Sequence, residues 1–346
     1  MAEYKDTITF EALYDGLQKC KRGVMWKDSV AGYSANGLKN TYLLRQELVS
    51  SKYKLRPYRQ FVVTDPKRRE VMATQIRDRQ YQRALCDGYL YHELTRHFIY
   101  DNGACQTGKG VNFALDRMNT HLHRYYRKYG ANGFVLKCDI HHYFAETSHE
   151  VAKAAIRKRV RDKDACYRVE QIIDSFGGDK GIGLGSQVSQ LIELAVLDDL
   201  DHFIKERLGI RHYERYMDDF VLIHPDKEYL KYCLSEIEQK LSDVGLTLNR
   251  KTQIFPLTQG VIWLKWRFIL TSSGKVVRKM SPQSIYRQRR KLKRMQKLVA
   301  DGKIAVEDVR QSMESWTASA ERGNTHKVAQ EMWHLFDQLF GSFASE

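Results

Sequence analysis

Three aspartates stand where apolar, strand-like runs end, and this placement constrains the fold more than any other feature of the sequence. Residues 133–140 (GFVLKCDI) are typical of a buried central strand that carries Asp139 at its tip. Farther along, the β-prone runs 212–216 and 220–224 flank Met217-Asp218-Asp219, which predicts a hairpin with two acids at its turn. Because a desolvated, unpaired carboxylate is costly, we expect these acids to converge on a shared partner.

Carboxylates gathered at strand ends suit a pair of Mg²⁺ ions, because hard cations prefer oxygen ligands and Mg²⁺ keeps positions for water and phosphate oxygens. In two-metal nucleotidyl transfer, one ion activates an attacking hydroxyl and the other stabilises the leaving pyrophosphate. The alternative is that Asp218-Asp219 is an ordinary turn pair, which is a common setting for aspartate. The strand-end Asp139 upstream favours the metal site over the turn.

The composition indicates a folded, basic protein. The chain has 346 residues, of which 42% are hydrophobic, so it can bury the cores of two or three associated subdomains. There are 57 Lys and Arg against 42 Asp and Glu, a net charge of +15. An excess of this size suits a nucleic acid, because neutralising phosphates releases counterions. A solvated basic surface is the alternative.

The cysteines and the chain start indicate a protein of a reducing compartment. Six cysteines are scattered without a CxxC pair, which predicts free and mostly buried thiols. The polar start of the sequence lacks the apolar core of a signal peptide, and no stretch approaches the length of a membrane span. We therefore expect a soluble, cytoplasmic protein without a membrane partner.

Periodicity predicts the remaining elements. Helices are expected over residues 1–55, 71–129, 149–175, 186–208, 227–244 and beyond Ser281. Strands are expected at Phe61-Val62-Val63, before a turn at Asp65-Pro66, and over 252–279.

Two motifs resemble those of reverse transcriptases. Residues 216–219 (YMDD) match the family's YxDD motif, and residues 137–144 (KCDIHHYF) are similar to its first catalytic-acid motif. The resemblance implies three catalytic and metal-binding acids, Asp139, Asp218 and Asp219. It also implies that the backbone carbonyl of Ile140 is a metal ligand and that Phe144 is a steric gate against the ribose 2′-hydroxyl. Ordinary core packing is the alternative for the Tyr143-Phe144 pair.

Further segments resemble the family's pocket for the incoming dNTP. Residues 65–69 (DPKRR) and 78–82 (DRQYQ) are similar to the fingers motifs of bacterial, intron-like enzymes, in which a Lys and an Arg reach the triphosphate. Residues 248–252 (LNRKT) resemble the motif whose lysine approaches the triphosphate. The resemblance assigns the pocket to Lys67, Arg69, Phe144, Leu184, Gly185, Gln187, Tyr216, Met217 and Lys251. For any one of these cations, a solvated surface charge is the alternative.

The segment 184–190 (LGSQVSQ) resembles that of diversity-generating retroelement enzymes, which have an aliphatic residue before the glycine. Replacing an amide by the Leu184 side chain removes hydrogen bonds that help to fix the template–nucleotide geometry, which predicts low-fidelity copying. Alternatively, Leu184 merely packs, while Gly185 permits close approach and Ser189 caps a helix.

The C-terminal basic helix resembles a polymerase thumb, and residues 263–266 (WLKW) fall where the family's primer-grip hairpin is expected, although Lys265 stands where the family usually has glycine. Residues 322–325 (RGNT) also resemble a motif near the end of such bacterial enzymes. Four basic residues are assigned to the phosphates of an RNA–DNA hybrid: Arg287, Arg290, Lys291 and Arg294. A solvated helix face is the alternative.

The resemblance implies an α+β, right-hand polymerase fold with fingers, a palm built on an antiparallel sheet, and a helical thumb. The expected ranges are 1–130 for an N-terminal extension and fingers, 131–279 for the palm with interleaved fingers elements, and 280–346 for the thumb. No residues are then left for an RNase H, integrase or HNH endonuclease domain.

The implied function is that of an RNA-directed DNA polymerase that uses two Mg²⁺ ions, with Mn²⁺ able to substitute. Its partners would be an RNA template, the RNA–DNA hybrid, dNTPs, a structured RNA and a small basic accessory protein. The first expectation is a diversity-generating retroelement, in which the enzyme copies a template-repeat RNA. Two alternatives stay open: a defence-associated or retron-like enzyme with a dedicated non-coding RNA, and a catalytically silent RNA-binding protein on a polymerase fold.

Overall fold

The computed structural model describes residues 3–64 and 68–341. The predicted turn at Asp65-Pro66 and the predicted triphosphate ligand Lys67 lie outside the described residues.

The described residues contain α-helices and strands in a mixed order. The helices are α1 (Phe10–Cys20), α2 (Asp28–Ala35), α3 (Gly37–Val49), α4 (Ile76–Leu85), α5 (Tyr91–Thr95), α6 (Val111–Tyr129), α7 (Tyr143–Glu146), α8 (His149–Arg159), α9 (Lys163–Asp174), α10 (Gln187–Val196), α11 (Asp198–His202), α12 (Lys227–Ser242), α13 (Pro282–Ala300), α14 (Val306–Ala320) and α15 (His326–Phe340). The strands are β1 (Arg59–Val63), β2 (Arg69–Ala73), β3 (Phe134–Asp139), β4 (His212–Tyr216), β5 (Asp219–His224), β6 (Gln253–Pro256), β7 (Val261–Trp263), β8 (Trp266–Leu270) and β9 (Val276–Met280).

The chain divides into two compact units. The first comprises Met1–Gly110, Lys137–Val221 and Tyr232–Thr252, and the second comprises Val111–Leu136, Leu222–Lys231 and Gln253–Glu346.

In the first unit, helix α1 packs against α4. Thr9 begins α1 as its N-cap, since its side chain accepts the Ala12 N–H at 3.2 Å. The helices approach so closely that a Cβ on Gly16 would lie 2.6 Å from the Gln80 carbonyl oxygen, which explains the glycine. Helix α10 is buried along almost its whole length, as its apolar sequence requires.

The strands form three sheets. β1 and β2 pair antiparallel, with Arg59 opposite Ala73 and Val63 opposite Arg69. The sheet that carries the predicted catalytic acids has the strand order β4-β5-β3-β6. Strand β3 buries three of its six residues and β5 four of six, and none of the twelve is exposed, which agrees with their apolar sequences. The third sheet is the antiparallel meander β7-β8-β9 of the second unit.

The last three helices of the second unit pack around an apolar core. Leu292 of α13 is buried in it with residues of α14 and α15: Val309, Met313, Met332, Phe336 and Phe340. The predicted helices beyond Ser281 are therefore confirmed, and Ser281 itself caps α13 by accepting the Ser284 N–H at 3.3 Å.

Several of the predicted helical ranges differ from the structure. The range 1–55 contains three separate α-helices, α1 to α3, and the range 71–129 has a non-helical stretch before α6 begins at Val111. Residues 71–73 belong to strand β2 and not to a helix, because they pair with β1. The range 149–175 is two helices, since Asp162 caps α9 by accepting the Ala165 N–H at 3.0 Å. The range 186–208 is interrupted at Leu197, whose ψ of 0° is not helical, and it ends in a π-helical turn at Phe203–Arg207.

The six cysteines are free thiols, as predicted, although only Cys86, Cys138 and Cys233 are buried. None of the helices in the described part of the chain has the length and apolar character needed to cross a membrane.

Candidate active site

The predicted acid hairpin is present. Strand β4 ends at Tyr216, Met217 and Asp218 form the turn, and Asp219 begins β5. Met217 has φ +56°, a left-handed backbone conformation that is uncommon for any residue other than glycine. The turn therefore presents two acids at the end of a hairpin whose strands are otherwise buried.

The tip of β3 meets this turn through the backbone. The Ile140 N–H donates to the Asp218 carbonyl oxygen at 3.2 Å, which joins the residue after Asp139 to the acid turn. On its other side, the Asp139 carbonyl accepts the Asn249 N–H at 2.7 Å. The structure thus brings together the backbone of Asp139, Ile140 and Asp218.

Lys251 lies two residues beyond the segment that pairs with Asp139. Asn249 accepts the Lys251 N–H on its side-chain oxygen at 3.1 Å, and the Lys251 side chain is exposed. The predicted triphosphate lysine therefore belongs to the same backbone junction as the first predicted catalytic acid.

Several carboxyl groups and one nearby cation set the electrostatics of the junction. The cation is Lys137, whose Nζ lies 3.9 Å from Asp219 Oδ1. Behind the turn, burial raises the pKa of Glu193 to about 8, and the Asp218 carboxylate acts in the same direction. Glu193 is completely buried, and its Oε2 accepts the Thr147 hydroxyl at 3.1 Å. The acid behind the turn therefore holds its proton more tightly than an exposed carboxyl group does.

The donor set at this junction is rich in oxygen, which suits a hard divalent cation: three carboxylates and the Ile140 carbonyl. Within residues 3–64 and 68–341, however, no three His, Cys, Asp or Glu side chains are gathered closely enough to hold a metal ion. The backbone segments of Ile140 and Asp218 therefore meet at the junction, whereas the three carboxylates together are not gathered as closely as the ligands of a single ion.

Two predicted pocket residues, Phe144 and Leu184, line a cavity of about 570 Å³ in the first unit. Its other walls include the β1–β2 hairpin, Phe176 and the glycine-rich segment 181–183. Phe144 is half-buried in this wall, whereas Tyr143 is buried and donates its hydroxyl to the Glu193 carbonyl at 2.5 Å. Of the aromatic pair, Tyr143 is therefore the core residue and Phe144 the one that lines the cavity.

Leu184 and Gly185 lie against strand β2. The Leu184 carbonyl accepts the Met72 N–H at 3.1 Å. Gly185 has φ +126°, and a Cβ there would lie 3.2 Å from Val71, so both the backbone conformation and the close approach favour glycine.

Helix α10 begins with the predicted pocket residue Gln187, whose Oε1 is buried and has no hydrogen-bond partner among the described residues. The cap of this helix is Ser186 and not Ser189, because Ser186 Oγ accepts the Ser189 N–H at 3.0 Å. The alternative role of Ser189 as the cap is therefore wrong, since the helix begins one residue after Ser186.

Two further predicted pocket residues lie at strand ends. Arg69 is exposed at the start of β2, opposite Val63. Tyr216 is half-buried at the end of β4, and burial raises the pKa of its hydroxyl.

Sequence reasoning missed Arg215 and Asp201, which lie directly behind the acid turn. Both side chains are fully buried, and Arg215 Nη2 lies 2.6 Å from Asp201 Oδ2. Arg215 Nη1 also donates to the Met217 carbonyl at 3.0 Å. The available signal was a charged residue in each of two apolar elements, a β-run and a long helix.

The second unit holds the predicted nucleic-acid-binding residues. Four basic residues are all exposed on α13, whereas Leu292 of the same helix is buried: Arg287, Arg290, Lys291 and Arg294. The predicted primer-grip segment is the tight turn between β7 and β8, with Leu264 at φ +46° and Lys265 at φ +73°. The left-handed conformation explains why glycine would suit the Lys265 position.

The chain matches one protein-family model and several solved structures. Residues 66–264 match the family described as reverse transcriptase (RNA-dependent DNA polymerase). Telomerase from Candida albicans, in complex with a TWJ fragment of telomeric RNA, is similar with a TM-score of 0.53 and 12% identity over 84% of this chain and 55% of the telomerase chain. Apo telomerase from Candida tropicalis has a TM-score of 0.50 and 12% identity over 64% of this chain and 47% of its own.

At such low identity, the likeness to the telomerases concerns the fold, and this chain spans about half the length of those it matches. No curated protein sequence matches the chain. Together with the family match, the structural likeness confirms the predicted α+β polymerase fold.

Proposed function

The chain belongs to the reverse transcriptase family, and we propose that it is an RNA-directed DNA polymerase that makes cDNA by nucleotidyl transfer at Asp139, Asp218 and Asp219. The observation that carries this proposal is the backbone hydrogen bond from the Ile140 N–H to the Asp218 carbonyl at 3.2 Å. This hydrogen bond brings Asp139 and Asp218, which are far apart in sequence, to one edge of a buried sheet, where each can reach the same substrate.

Enzymes of this family generally use divalent metal ions, and Mg²⁺ is the ion proposed here, with Mn²⁺ able to replace it. Asp139, Asp218, Asp219 and the Ile140 carbonyl would hold two such ions, which supply activation of the primer 3′-hydroxyl and neutralisation of the pyrophosphate. Drawing the carboxylates together costs their mutual repulsion, which bound cations offset. The Lys137 ammonium near Asp219 reduces that repulsion in the protein itself.

The incoming dNTP is proposed to contact residues from five segments. Phe144 lines the cavity and would exclude a ribose 2′-hydroxyl, and Leu184 in the same cavity would lie against the nascent base pair. Gly185, Gln187, Tyr216 and Met217 would complete the sugar and base contacts. The triphosphate would be met by Lys67, Arg69 and Lys251.

The exposed basic residues of α13 are proposed to bind the phosphates of the RNA–DNA hybrid, namely Arg287, Arg290, Lys291 and Arg294. Cation contacts to phosphate make binding steeply dependent on salt. The telomerase from Candida albicans was solved with a telomeric RNA fragment, which supports RNA as a partner of this fold.

A diversity-generating retroelement is the proposed biological role, with low-fidelity copying of a template-repeat RNA, a structured RNA and a small basic accessory protein. Its support is Leu184, whose aliphatic side chain lines the cavity without any group that could hydrogen-bond a template or nucleotide. Deep sequencing of the cDNA from the wild type and from Leu184→Gln tests this role. Fewer misincorporations in the variant would support it, and equal error rates would contradict it.

Primer extension tests the polymerase function itself. The wild-type protein, supplied with primed RNA, Mg²⁺ or Mn²⁺, and its copurifying RNA, is expected to incorporate dNTPs, whereas Asp218→Ala and Asp219→Ala are not. Incorporation that survives in both variants, or a wild type that incorporates no dNTP but still binds RNA, would contradict the proposed catalytic site. The second result would favour a silent RNA-binding protein.

A further inference from the structure

Arg215, which directly precedes the Tyr216–Asp219 motif, is a fully buried cation. Its Nε and Nη2 donate to the two carboxylate oxygens of Asp201 at 2.7 and 2.6 Å. The Tyr213 hydroxyl donates to the same carboxylate at 2.5 Å. Burial acts to lower the pKa of Arg215, but the Asp201 carboxylate outweighs it and raises that pKa above its ordinary value, so the guanidinium stays charged. Burying two charges is costly, and it is tolerated here because the pair is bidentate.

The rest of the guanidinium is directed at the acid turn. Nη1 donates to the Met217 carbonyl at 3.0 Å, and Nη2 also donates to the Leu194 carbonyl at 3.3 Å. Met217 is the residue of the turn with the strained, left-handed backbone at φ +56°. The charged Arg215 guanidinium therefore stabilises the strained backbone of Met217 through this hydrogen bond.

The Met217 carbonyl belongs to the peptide plane that leads into Asp218. Holding that carbonyl fixes the orientation of the whole plane, because the peptide is rigid. The next carbonyl, that of Asp218, accepts the Ile140 N–H at 3.2 Å. A continuous set of hydrogen bonds thus runs from Asp201 through Arg215 and the turn to the residue after Asp139.

We propose that Arg215, anchored by Asp201, is a positioning residue that fixes the peptide between Met217 and Asp218 and so sets where Asp218 and Asp139 present their carboxylates. This inference rests on the proposed function, because it assigns a role relative to those acids. Arg215 contacts neither nucleotide nor metal in this role and acts only through the turn.

A second buried pair in the same unit supplies a matched control. Arg159 Nε donates to Asp198 at 2.9 Å, both side chains are 3% exposed, and Asp198 lies on helix α11 with Asp201. The other donors of Arg159 contact Ala155 and Asp199, which belong to helices α8 and α11. This pair is similar in chemistry and burial, but its bonds join helices and not the acid turn.

The first test replaces each arginine by lysine, which keeps the charge but loses the fork that reaches both the carboxylate and the carbonyl. Amide hydrogen exchange over residues 212–224 and at Ile140, measured without nucleic acid, is expected to speed up at least about tenfold in Arg215→Lys. In primer extension, the same variant should lose about tenfold to a hundredfold in kcat and need more divalent metal, while its KM for dNTP changes less. Arg159→Lys should match the wild type in both measurements.

The second test removes the charges together. Asp201→Leu/Arg215→Met is expected to fold, because apolar residues of similar volume can replace a buried ion pair, yet to keep the fast exchange and low kcat. The control Asp198→Leu/Arg159→Met should fold and retain activity.

Wild-type exchange and kcat in the folded Arg215 variants would overturn the proposal. So would a failure of both Arg215 variants to fold beside folded Arg159 controls, since the pair would then serve the fold alone. If the wild type incorporates no dNTP while exchange still separates the two pairs, the proposed function fails and the anchoring of the turn stands.

Discussion

The hairpin turns β4–β5 and β7–β8 both contain non-glycine residues with left-handed backbone, and the two turns are held in different ways. Between β4 and β5, Met217 has φ +56°, and its carbonyl accepts the buried Arg215 guanidinium at 3.0 Å. Between β7 and β8, Lys265 has φ +73°, and its carbonyl accepts the Ser281 backbone N–H at 3.0 Å.

The contrast shows that a buried ion pair, which is costly to desolvate, supports only the turn that carries the acids. An ordinary backbone hydrogen bond is enough to hold the second turn, which is tied to the capped start of α13. The first turn carries two acids and uses a fully buried ion pair for the same task. Backbone strain together with a buried charge is typical of a site where geometry serves chemistry.

The two turns should differ most in catalysis. Asp139→Asn removes one carboxylate at the β3 tip but keeps the side chain's shape, so incorporation should fall at least about a thousandfold while thermal stability stays near that of the wild type. Lys265→Gln, at the other turn, should leave the chemical step within about threefold. Rapid-quench incorporation on primed RNA measures both, and an Asp139→Asn enzyme within about tenfold of the wild type would remove the catalytic contrast.

The pH dependence of stability should also separate the turns, because Glu193 lies behind the first. Its pKa is raised to about 8 in the folded protein, so between pH 4.5 and 8 the folded state binds more protons than the unfolded state. Stability contributed by this proton is therefore fully present below pH 4.5 and is lost as the pH rises to about 8, on the order of 5 kcal/mol in all and about 3 kcal/mol of it between pH 6 and pH 9.

Denaturant unfolding in a metal chelator, compared at about pH 6 and about pH 9 on either side of this pKa, measures the effect. Glu193→Gln should flatten the loss, since a neutral amide does not titrate. An unchanged pH profile in this variant would show that Glu193 is not the group responsible.

The second turn is supported by the close packing of Gly323 against Trp266 and β9, and a larger residue at position 323 should disturb it. A Cβ on Gly323 would lie 2.3 Å from the Trp266 ring and 2.6 Å from the Arg278 carbonyl oxygen, so Gly323→Ala must displace the residue that ends the turn or the backbone of β9. We expect a loss of about 1 to 3 kcal/mol in the free energy of unfolding. Gly341→Ala is the control, because a Cβ there meets no atom of the described residues within 4 Å. Equal stability of the two variants would show that Gly323 is not tightly packed.

The smallest change in stability should come from placing glycine at the strained, left-handed position of each turn. Lys265→Gly removes the left-handed penalty but adds freedom to the unfolded chain, for a net gain of about 0.5 kcal/mol in stability. Met217→Gly should gain the same stability but lose incorporation, because a flexible turn presents Asp218 less accurately. Thermal unfolding and primer extension of both variants make this comparison. Undiminished incorporation by Met217→Gly would show that the turn conformation does not matter for the chemistry.

The sequence was sufficient to predict the acid hairpin and the buried strand β3, because apolar runs that end in acids have few other structures. It also predicted that the chain beyond Ser281 is helical and basic, and the helices are present there. The break at Leu197 and the strand at residues 71–73 were missed, because a partner element decides them and local preference does not.

The ion pair of Arg215 and Asp201 could not be predicted from the sequence, for a different reason. Arg215 and Asp201 lie fourteen residues apart, in a strand and a helix, and the order of residues does not show that their side chains meet. The left-handed conformation at Met217 was hidden in the same way, since the YxDD pattern does not require glycine there. The functional roles of the acids, the pocket residues and the basic helix stay predictions.

Binding of Mn²⁺ probes the proposed metal site itself, because it needs no RNA template and no turnover. Electron paramagnetic resonance of free Mn²⁺ can be followed while the wild type, Asp139→Asn and Asp218→Asn are titrated with a dNTP present. We expect the wild type to bind Mn²⁺ and either substitution to weaken binding at least about tenfold. Equal Mn²⁺ affinity in all three proteins would contradict a metal site built on the tip of β3 and the Met217-Asp218 turn.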